Sequence, residues 1–554
     1  MFLSNMISFL RFVPLTALLA VPFAAADARK EAVSPFKLYV EGQVASFSDN
    51  PDLAARNFFS VLQERPGDNL LALRTYRQAQ IANNMSITLG VLSRMEKDGY
   101  RTGDGPFLIL ADAVKRHKWK EANLLIDRMS QFQYPFFFTA PLLRAWVILG
   151  SKKGDPFSAL DKAQGPVSNY VQEERGLLLL ATGKYEEALS ILAPVMTGKS
   201  GRSNRLRIIV AGIIAHRDIA KSRALLEGSS ASLAKARMLL DKNKKIFKSK
   251  LTAEDGLSEL ILRLASVMGG QSLTAPIGLG LARASSWLTP DNPESWLITA
   301  EILSSGHQFS AARSALDHIS SDDPFYNLAM SMRILLYVRE NKKEDALNLA
   351  RTITQLPNAT ADDWRNLAEL EGDNGHYEAA LVALDRIMGP DQPMAKDWQI
   401  WLLKGTLLDS AGHWPEAKAA YQQAVALAPD QPLALNTLGY SQLEKRENIP
   451  EAARLIEQAL KVTPNDPAII DSMGWSQYLL GHTDQAILLL EQAAKADPKE
   501  PTIYEHLGDA YWTVGRHFEA RYAWQASLGT ADDKATTRLK QKIAVGLTPT
   551  LAAP

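Results

Sequence analysis

The run PTIYEHLGDAYWTVGRHFEARYAWQASLG, residues 501–529, decides the fold because its small residues recur upstream at one nearly fixed step. Gly508 is preceded by Gly474, Gly439 and Gly405 at spacings of 34, 35 and 34 residues, and Ala520 by Ala486, Ala452 and Ala417 at 34, 34 and 35. Self-similarity at a step of about 20 to 50 residues marks a solenoid, in which a unit cannot bury its apolar face alone and stacks on its neighbours. The expected fold is all-α, built of antiparallel helix pairs. Glycine and alanine mark the places where the two helices of a pair come closest, since bulk there would push them apart. A proline closes each of three pairs (Pro429, Pro464, Pro498), because it cannot continue the helical hydrogen-bond ladder.

The pattern fades but does not stop upstream of 398. Ala312, Ala346 and Ala380 are again 34 apart, with Trp296, Trp364, Leu367 and Pro324 in support. Gly42, Ala54, Phe58 and Pro66 fit one unit near the start, Ala122 lies two periods beyond Ala54, and Gly176 with Ala188 marks another. Between 199 and 292 the register is lost, although helical apolar periodicity persists over 206–215, 233–247 and 257–268. The expected organisation is therefore divergent helix pairs over 35–198, an irregular basic helical segment over 199–292, repeats over 293–397, four well-formed units over 398–529, and a capping helix over 533–546.

Residues 1–28 read as a secretory signal peptide. Arg11 precedes an apolar run from Phe12 to Phe23, followed by Ala24-Ala25-Ala26-Asp27-Ala28. The twelve-residue run, interrupted by Pro14 and Pro22, is shorter than the roughly 20 residues that cross a bilayer. The sequence has no cysteine, which excludes disulfides, thiolate ligands and a lipoprotein-type lipidated Cys. The expectation is export to the periplasm or cell envelope, with membrane contact peripheral if any.

Formal charge is zero over 554 residues, yet 199–250 holds eight Lys and six Arg against Asp218, Glu227 and Asp241, a net +11. Lys242, Lys244, Lys245, Lys248 and Lys250 are the candidate residues for an anionic lipid or glycan partner. A solvated face on irregular repeats is the plainer reading of the same charges.

Tyr504, Leu507-Gly508, Tyr511, Ala520 and Trp524 fall on the pattern W-x2-L-G-x2-Y followed by A-x3-F, and Met473-Gly474, Ala486, Leu490 and Pro498 repeat its core. By these residues the chain resembles the tetratricopeptide repeat (TPR) family. Leu438-Gly439-Tyr440-Ser441, Asp471-Ser472-Met473-Gly474-Trp475 and His506-Leu507-Gly508-Asp509-Ala510-Tyr511-Trp512 are similar to exported repeat proteins of Gram-negative bacteria. The resemblance implies a right-handed superhelix whose first helices line a concave groove for an extended peptide or a helix. Carried onto this chain, the groove places are Asn436, Tyr440, Asp471, Trp475, Tyr478, Glu505, Asp509 and Trp512. This lining is aromatic and acidic, suited to a basic or amide-rich segment; the alternative is that Trp475, Tyr478 and Trp512 are core between adjacent pairs.

The sequence offers little to a catalytic reading. Gly198-Lys199-Ser200 has the ending of a phosphate-binding loop, but Ala193 stands where its first glycine is required. His307, His376, His413, His482 and His517 each follow a glycine at a helix–helix turn. Successive turns are about 8 to 10 Å apart, too far for shared ligation at about 2.1 Å. No metal, cofactor or nucleic acid is expected. The favoured function is a non-catalytic protein–protein interaction scaffold of the bacterial cell envelope, by analogy within envelope assembly or polysaccharide export machinery. The alternatives are a cell-wall turnover enzyme with a lytic-transglycosylase-like superhelix, whose catalytic glutamate domain has no recognisable counterpart, and an anionic lipid- or glycan-binding envelope protein.

Overall fold

The structure is a computed structural model that describes residues 34–131, 136–198, 200–228, 230–356, 359–389 and 392–554. The signal-peptide reading of 1–28 lies outside the described residues. Among the described residues every regular element is helical, and the chain divides into two compact units at Arg101/Thr102.

The first unit holds two pairs, α1 (Pro35–Phe47) with α2 (Pro51–Glu64) and α3 (Asn69–Ile81) with α4 (Met85–Lys97). Asn50, Asp68 and Asn84 cap α2, α3 and α4 by accepting from a backbone N–H three residues on, which satisfies donors that a helix start leaves open. Phe58 of α2 packs against Gly42 of α1 so closely that a Cβ at 42 would lie 2.7 Å from the ring.

The second unit starts with α5 (Gly105–Lys115), α6 (Trp119–Gln131), α7 (Ala140–Ser151), α8 (Pro156–Leu160), α9 (Ser168–Ala181) and α10 (Tyr185–Met196). It continues with α11 (Gly201–Ile214), α12 (Ile219–Leu225), α13 (Ala231–Asp241), α14 (Ala253–Gly269) and α15 (Ala275–Leu288). These do not stack in simple sequence. Helix α14 is buried nearly all round and packs on α5, α7, α9, α15 and α16 (Pro293–Ser305), and α15 returns to pack on α5. Glycine makes the interlock possible, since a Cβ at Gly256 would lie 2.3 Å from the Trp146 ring and one at Gly280 2.0 Å from Asp104 Oδ2.

A polar network inside this region accounts for the lost periodicity. Buried Glu173 accepts from Arg202 Nε (3.0 Å) and Arg263 Nη1 (2.9 Å), and buried Glu259 accepts from Arg205 Nη2 (2.9 Å), Asn292 Nδ2 (3.1 Å) and Arg202. Burial alone would raise Glu259, yet Arg205 and Arg202 hold its carboxyl down at about 2. Charged residues on inward faces interrupt the apolar rhythm that a helix reading depends on.

From α17 (Phe309–Leu316) the chain runs as consecutive helices α18 (Tyr326–Arg339), α19 (Lys343–Thr354), α20 (Ala361–Asp373) and α21 (Tyr377–Asp385). Four pairs follow: α22 (Trp398–Ser410) with α23 (Trp414–Leu427), α24 (Pro432–Glu444) with α25 (Ile449–Val462), α26 (Pro467–Leu479) with α27 (Thr483–Ala496), and α28 (Pro501–Thr513) with α29 (His517–Leu528). Helix α30 (Asp533–Val545) closes the run. The periodic alanines Ala54, Ala122, Ala188, Ala312, Ala346, Ala380, Ala417, Ala452, Ala486 and Ala520 are all 0% exposed. Each periodic glycine of the last four pairs faces the large residue of its own second helix: Gly405 Tyr421, Gly439 Ile456, Gly474 Leu490 and Gly508 Trp524, with a built Cβ 2.4 to 2.8 Å away. The antiparallel paired solenoid expected from the 34-residue step is the fold observed.

Candidate protein-binding groove

The first helices of the last three pairs, α24, α26 and α28, carry the eight groove candidates: Tyr440, Asp471 and Trp475 each meet His506, Glu505 and Asp509 share Lys542, and Trp512 packs on His517 and Trp524 of α29. Trp475 is the centre of the set. Its ring is 0% exposed and stacks between Tyr478 (centroids 4.8 Å, 11°) and His506 (4.2 Å, 10°). The Arg446 guanidinium, from the turn after α24, stands 5.3 Å from the same ring. His506 Nδ1 faces both oxygens of Asp471 at 3.0 and 3.1 Å, and Tyr478 Oη lies 3.0 Å from Thr513 Oγ1. Tyr440 lies 6.2 Å from the His506 ring, and burial pushes its phenol well above the ordinary range. Asn436 is half-buried beside this row. The core alternative thus holds for Trp475, which has no exposed surface, while Tyr440, Tyr478 and Trp512 remain half-buried.

The acidic half of the groove is engaged by the chain itself. Glu505 accepts from Arg538 Nε and Nη2 (2.6 and 2.7 Å) and from Lys542 Nζ (2.7 Å). Asp509 accepts from Lys542 Nζ (2.7 and 2.8 Å) and Trp524 Nε1 (2.9 Å). Burial opposes ionisation of both carboxyls. Against it, the doubly paired Glu505 is held below its ordinary value by Arg538 and Lys542, whereas burial wins at Asp509 and raises it despite Lys542. Helix α30 does cap the last pair through Leu539, which is 0% exposed. Its basic residues divide: Lys534 and Lys540 are exposed, Arg538 is half-buried, and Lys542 is completely buried in the groove.

Beyond α30 the chain turns and enters the groove. Gly546 makes the reversal at φ +91°, a backbone conformation that disfavours side chains. A Cβ there would also stand 2.1 Å from Trp512 Cζ2. Residues 547–554 then run without regular structure across α28, α26 and the end of α24. Ala553 donates its N–H to Asp509 Oδ2 (2.8 Å), its carbonyl accepts from Arg446 Nη2 (2.6 Å), and the Pro554 carbonyl accepts from Trp475 Nε1 (2.9 Å). The Ala553 methyl is 1% exposed and joins the apolar cluster of Leu438 and Trp475. The polar anchors of this segment are backbone atoms, and its side-chain contacts are those of Leu547 and Ala553.

Reading of the sequence missed His506, Arg446, Lys542, Arg538 and the 546–554 segment. A signal existed for the cations: Arg538 and Lys542 are four apart, as are Glu505 and Asp509, so facing helices present matched rows of charge. No comparable signal marks a segment held by its backbone.

The basic segment behaves differently. Lys244 pairs with Asp322 (2.8 Å), and Lys248 bridges Asp255 (2.8 Å) and Asp291 (3.1 Å) beside a cleft of about 460 Å³ also lined by Arg205 and Glu259. Arg207 and Arg237 donate to the carbonyls of Leu225 and Gly228, Lys221 pairs with Glu186 and Arg223 with Asp241, and Arg202 and Arg205 are absorbed in the buried network. Lys242, Lys245 and Lys250 are exposed and make no ion pair among the described residues. Most of the net +11 is therefore spent on structure within the fold.

The turn histidines have local partners of their own: His376 faces Glu371 (2.8 Å), His413 Glu378 (3.1 Å) and His482 Gln477 (2.9 Å).

The family model described as Tetratricopeptide repeat matches residues 402–467 and 472–535. Comparison with curated proteins gives no match. Among solved structures, a thermophilic TPR protein of Thermus thermophilus is 21% identical, over 34% of this chain and 100% of that one, with TM-score 0.30. One from Parabacteroides merdae is 13% identical, over 46% and 99%, with TM-score 0.39. The APC/C hetero-tetramer Cut9-Hcn1 is 16% identical, over 92% and 96%, with TM-score 0.37. At these scores no property of those proteins is carried to this chain. The matched segments and the helix pairs found there agree: residues 402–467 and 472–535 of this chain are tetratricopeptide repeats.

Proposed function

We propose that the chain is a non-catalytic protein–protein interaction scaffold of the bacterial cell envelope, exported by its N-terminal leader, and that α24, α26 and α28 form its partner-binding groove. One observation carries the binding role. A surface of stacked aromatics and buried carboxylates holds an irregular stretch of polypeptide by its backbone atoms, which is the interaction a peptide-binding groove has to make. The groove carboxylates Asp471, Glu505 and Asp509 face His506, Arg538 and Lys542, so they serve as fixed acceptors and not as an acid/base pair awaiting substrate. The envelope location rests on the leader pattern and on the resemblance to exported repeat proteins, which also suggests envelope assembly or polysaccharide export machinery as the setting.

The test is crosslinking in the native cells followed by mass spectrometry, comparing wild type, Arg446→Glu in the groove, and Lys461→Glu on the exposed side of α25. The reading expects a set of envelope proteins lost with Arg446→Glu and kept with Lys461→Glu. An identical set in all three removes the groove as the partner site.

A further inference from the structure

We infer that residues 546–554 are a resident plug that occupies the partner groove in cis, and that a partner enters by displacing it with a segment of the same chemistry. The inference rests on the reading of this face as the partner site and adds how that site is regulated. The plug is held at one end. After Gly546 the polar anchors it makes to the groove, among the described residues, are the N–H and carbonyl of Ala553 and a backbone oxygen of Pro554. Between them, Pro549 and Thr550 are exposed, and the turn from Thr548 to Leu551 bonds to itself. Ordering the backbone of eight residues opposes this small set of contacts, which places the segment at the low-stability, locally opening end of the fold. Helix α30 is anchored separately by Leu539, Arg538 and Lys542, so the plug can leave while the last repeat stays capped.

The geometry also specifies what replaces it. Asp509 needs a backbone N–H, Arg446 and Trp475 need backbone oxygens on two successive residues, and the Ala553 side chain is buried in the apolar cluster that holds Leu438 and Trp475. The partner segment therefore carries alanine or a similarly small residue at the Ala553 position. Of the basic or amide-rich partner expected from an acidic lining, the proposal keeps the amide: Glu505 and Asp509 already face cations of α30, and what Asp509 offers a ligand is acceptor geometry, not net charge. Tethering gives the plug an effective concentration on the order of millimolar, so a free copy competes poorly until the tether is cut or the plug is spoiled.

The experiment uses a fluorescein-labelled, C-terminally amidated peptide of sequence 546–554, titrated by anisotropy against three proteins: the full chain, the chain lacking 548–554, and the full-length Ala553→Glu chain. The last keeps the protein intact should the shortened form fold poorly. The peptide is expected to bind the shortened and Ala553→Glu chains at least ten-fold more tightly than wild type, and a peptide carrying Ala553→Glu to bind none of them. Equal affinity for all three chains, or no binding to either opened chain, overturns the plug. Those failures leave the scaffold reading intact, which stands or falls on the crosslinking comparison with Arg446→Glu.

Discussion

Replacing Glu174 by Gln should stabilise the second unit in alkaline solution and do little in mild acid. Glu174 is 0% exposed, and among the described residues its carboxyl accepts one hydrogen bond, from Trp146 Nε1 (2.6 Å). Burial, reinforced by the neighbouring charge of Glu173, pushes its pKa up to about 8 from the ordinary 4.5. The folded chain thus binds a proton there that the unfolded chain releases above about pH 4.5. Stability from this group is full below that value and declines as pH rises towards 8. Between pH 5.5 and pH 9 the wild type should lose about 3 kcal/mol relative to Glu174→Gln, taking ~1.4 kcal/mol per pKa unit over the part of the shift that lies in this window. Gln keeps the size and an acceptor for the Trp146 N–H, so the difference isolates the charge. Thermal melts followed by tryptophan fluorescence at the two pH values should show the variant's advantage in Tm growing by on the order of 5 °C on going to pH 9. An advantage that does not change with pH would refute the claim that Glu174 is held protonated by burial.

Two further outcomes follow from the packing. Gly508→Ala places a methyl 2.4 Å from the Trp524 ring and should lower stability by about 1–3 kcal/mol, as overpacking does; an unchanged melting curve would remove the close approach of α28 and α29. Lys542→Met leaves Asp509 buried without its cation and should cost about 3–5 kcal/mol at neutral pH, with the loss shrinking in acid as Asp509, already raised by burial, takes up a proton; a loss that does not change with pH would show that the Lys542–Asp509 pair is not what the substitution breaks.

The paired solenoid was readable because close packing writes itself at fixed positions. The space between two helices admits only hydrogen or methyl at Gly508 and Ala520, and the sequence repeats that demand at each unit. The region from 102 to 292 was not readable in the same way. Its helices interlock through Gly256 and Gly280 against residues far away in sequence, and its core contains Glu173, Arg205 and Glu259. Neither feature has a period. In the groove, register fixes which side of each first helix a residue occupies: Tyr440, Asp471 and Trp475 meet at His506, and Glu505 and Asp509 share Lys542. What covers them depends on Arg538 and Lys542 from a helix outside the register and on a segment that binds through backbone atoms, which every sequence possesses.

The most direct measurement of the central claim, that this face engages a partner protein, is photo-crosslinking in the native cells from a benzophenone amino acid placed at Tyr440, on the rim beside His506. The account predicts covalent adducts with a defined protein or proteins, increased when residues 548–554 are removed and absent when the same probe is placed at Leu488 on the exposed side of α27. Adducts from Leu488 and none from Tyr440, with or without the plug, would contradict it.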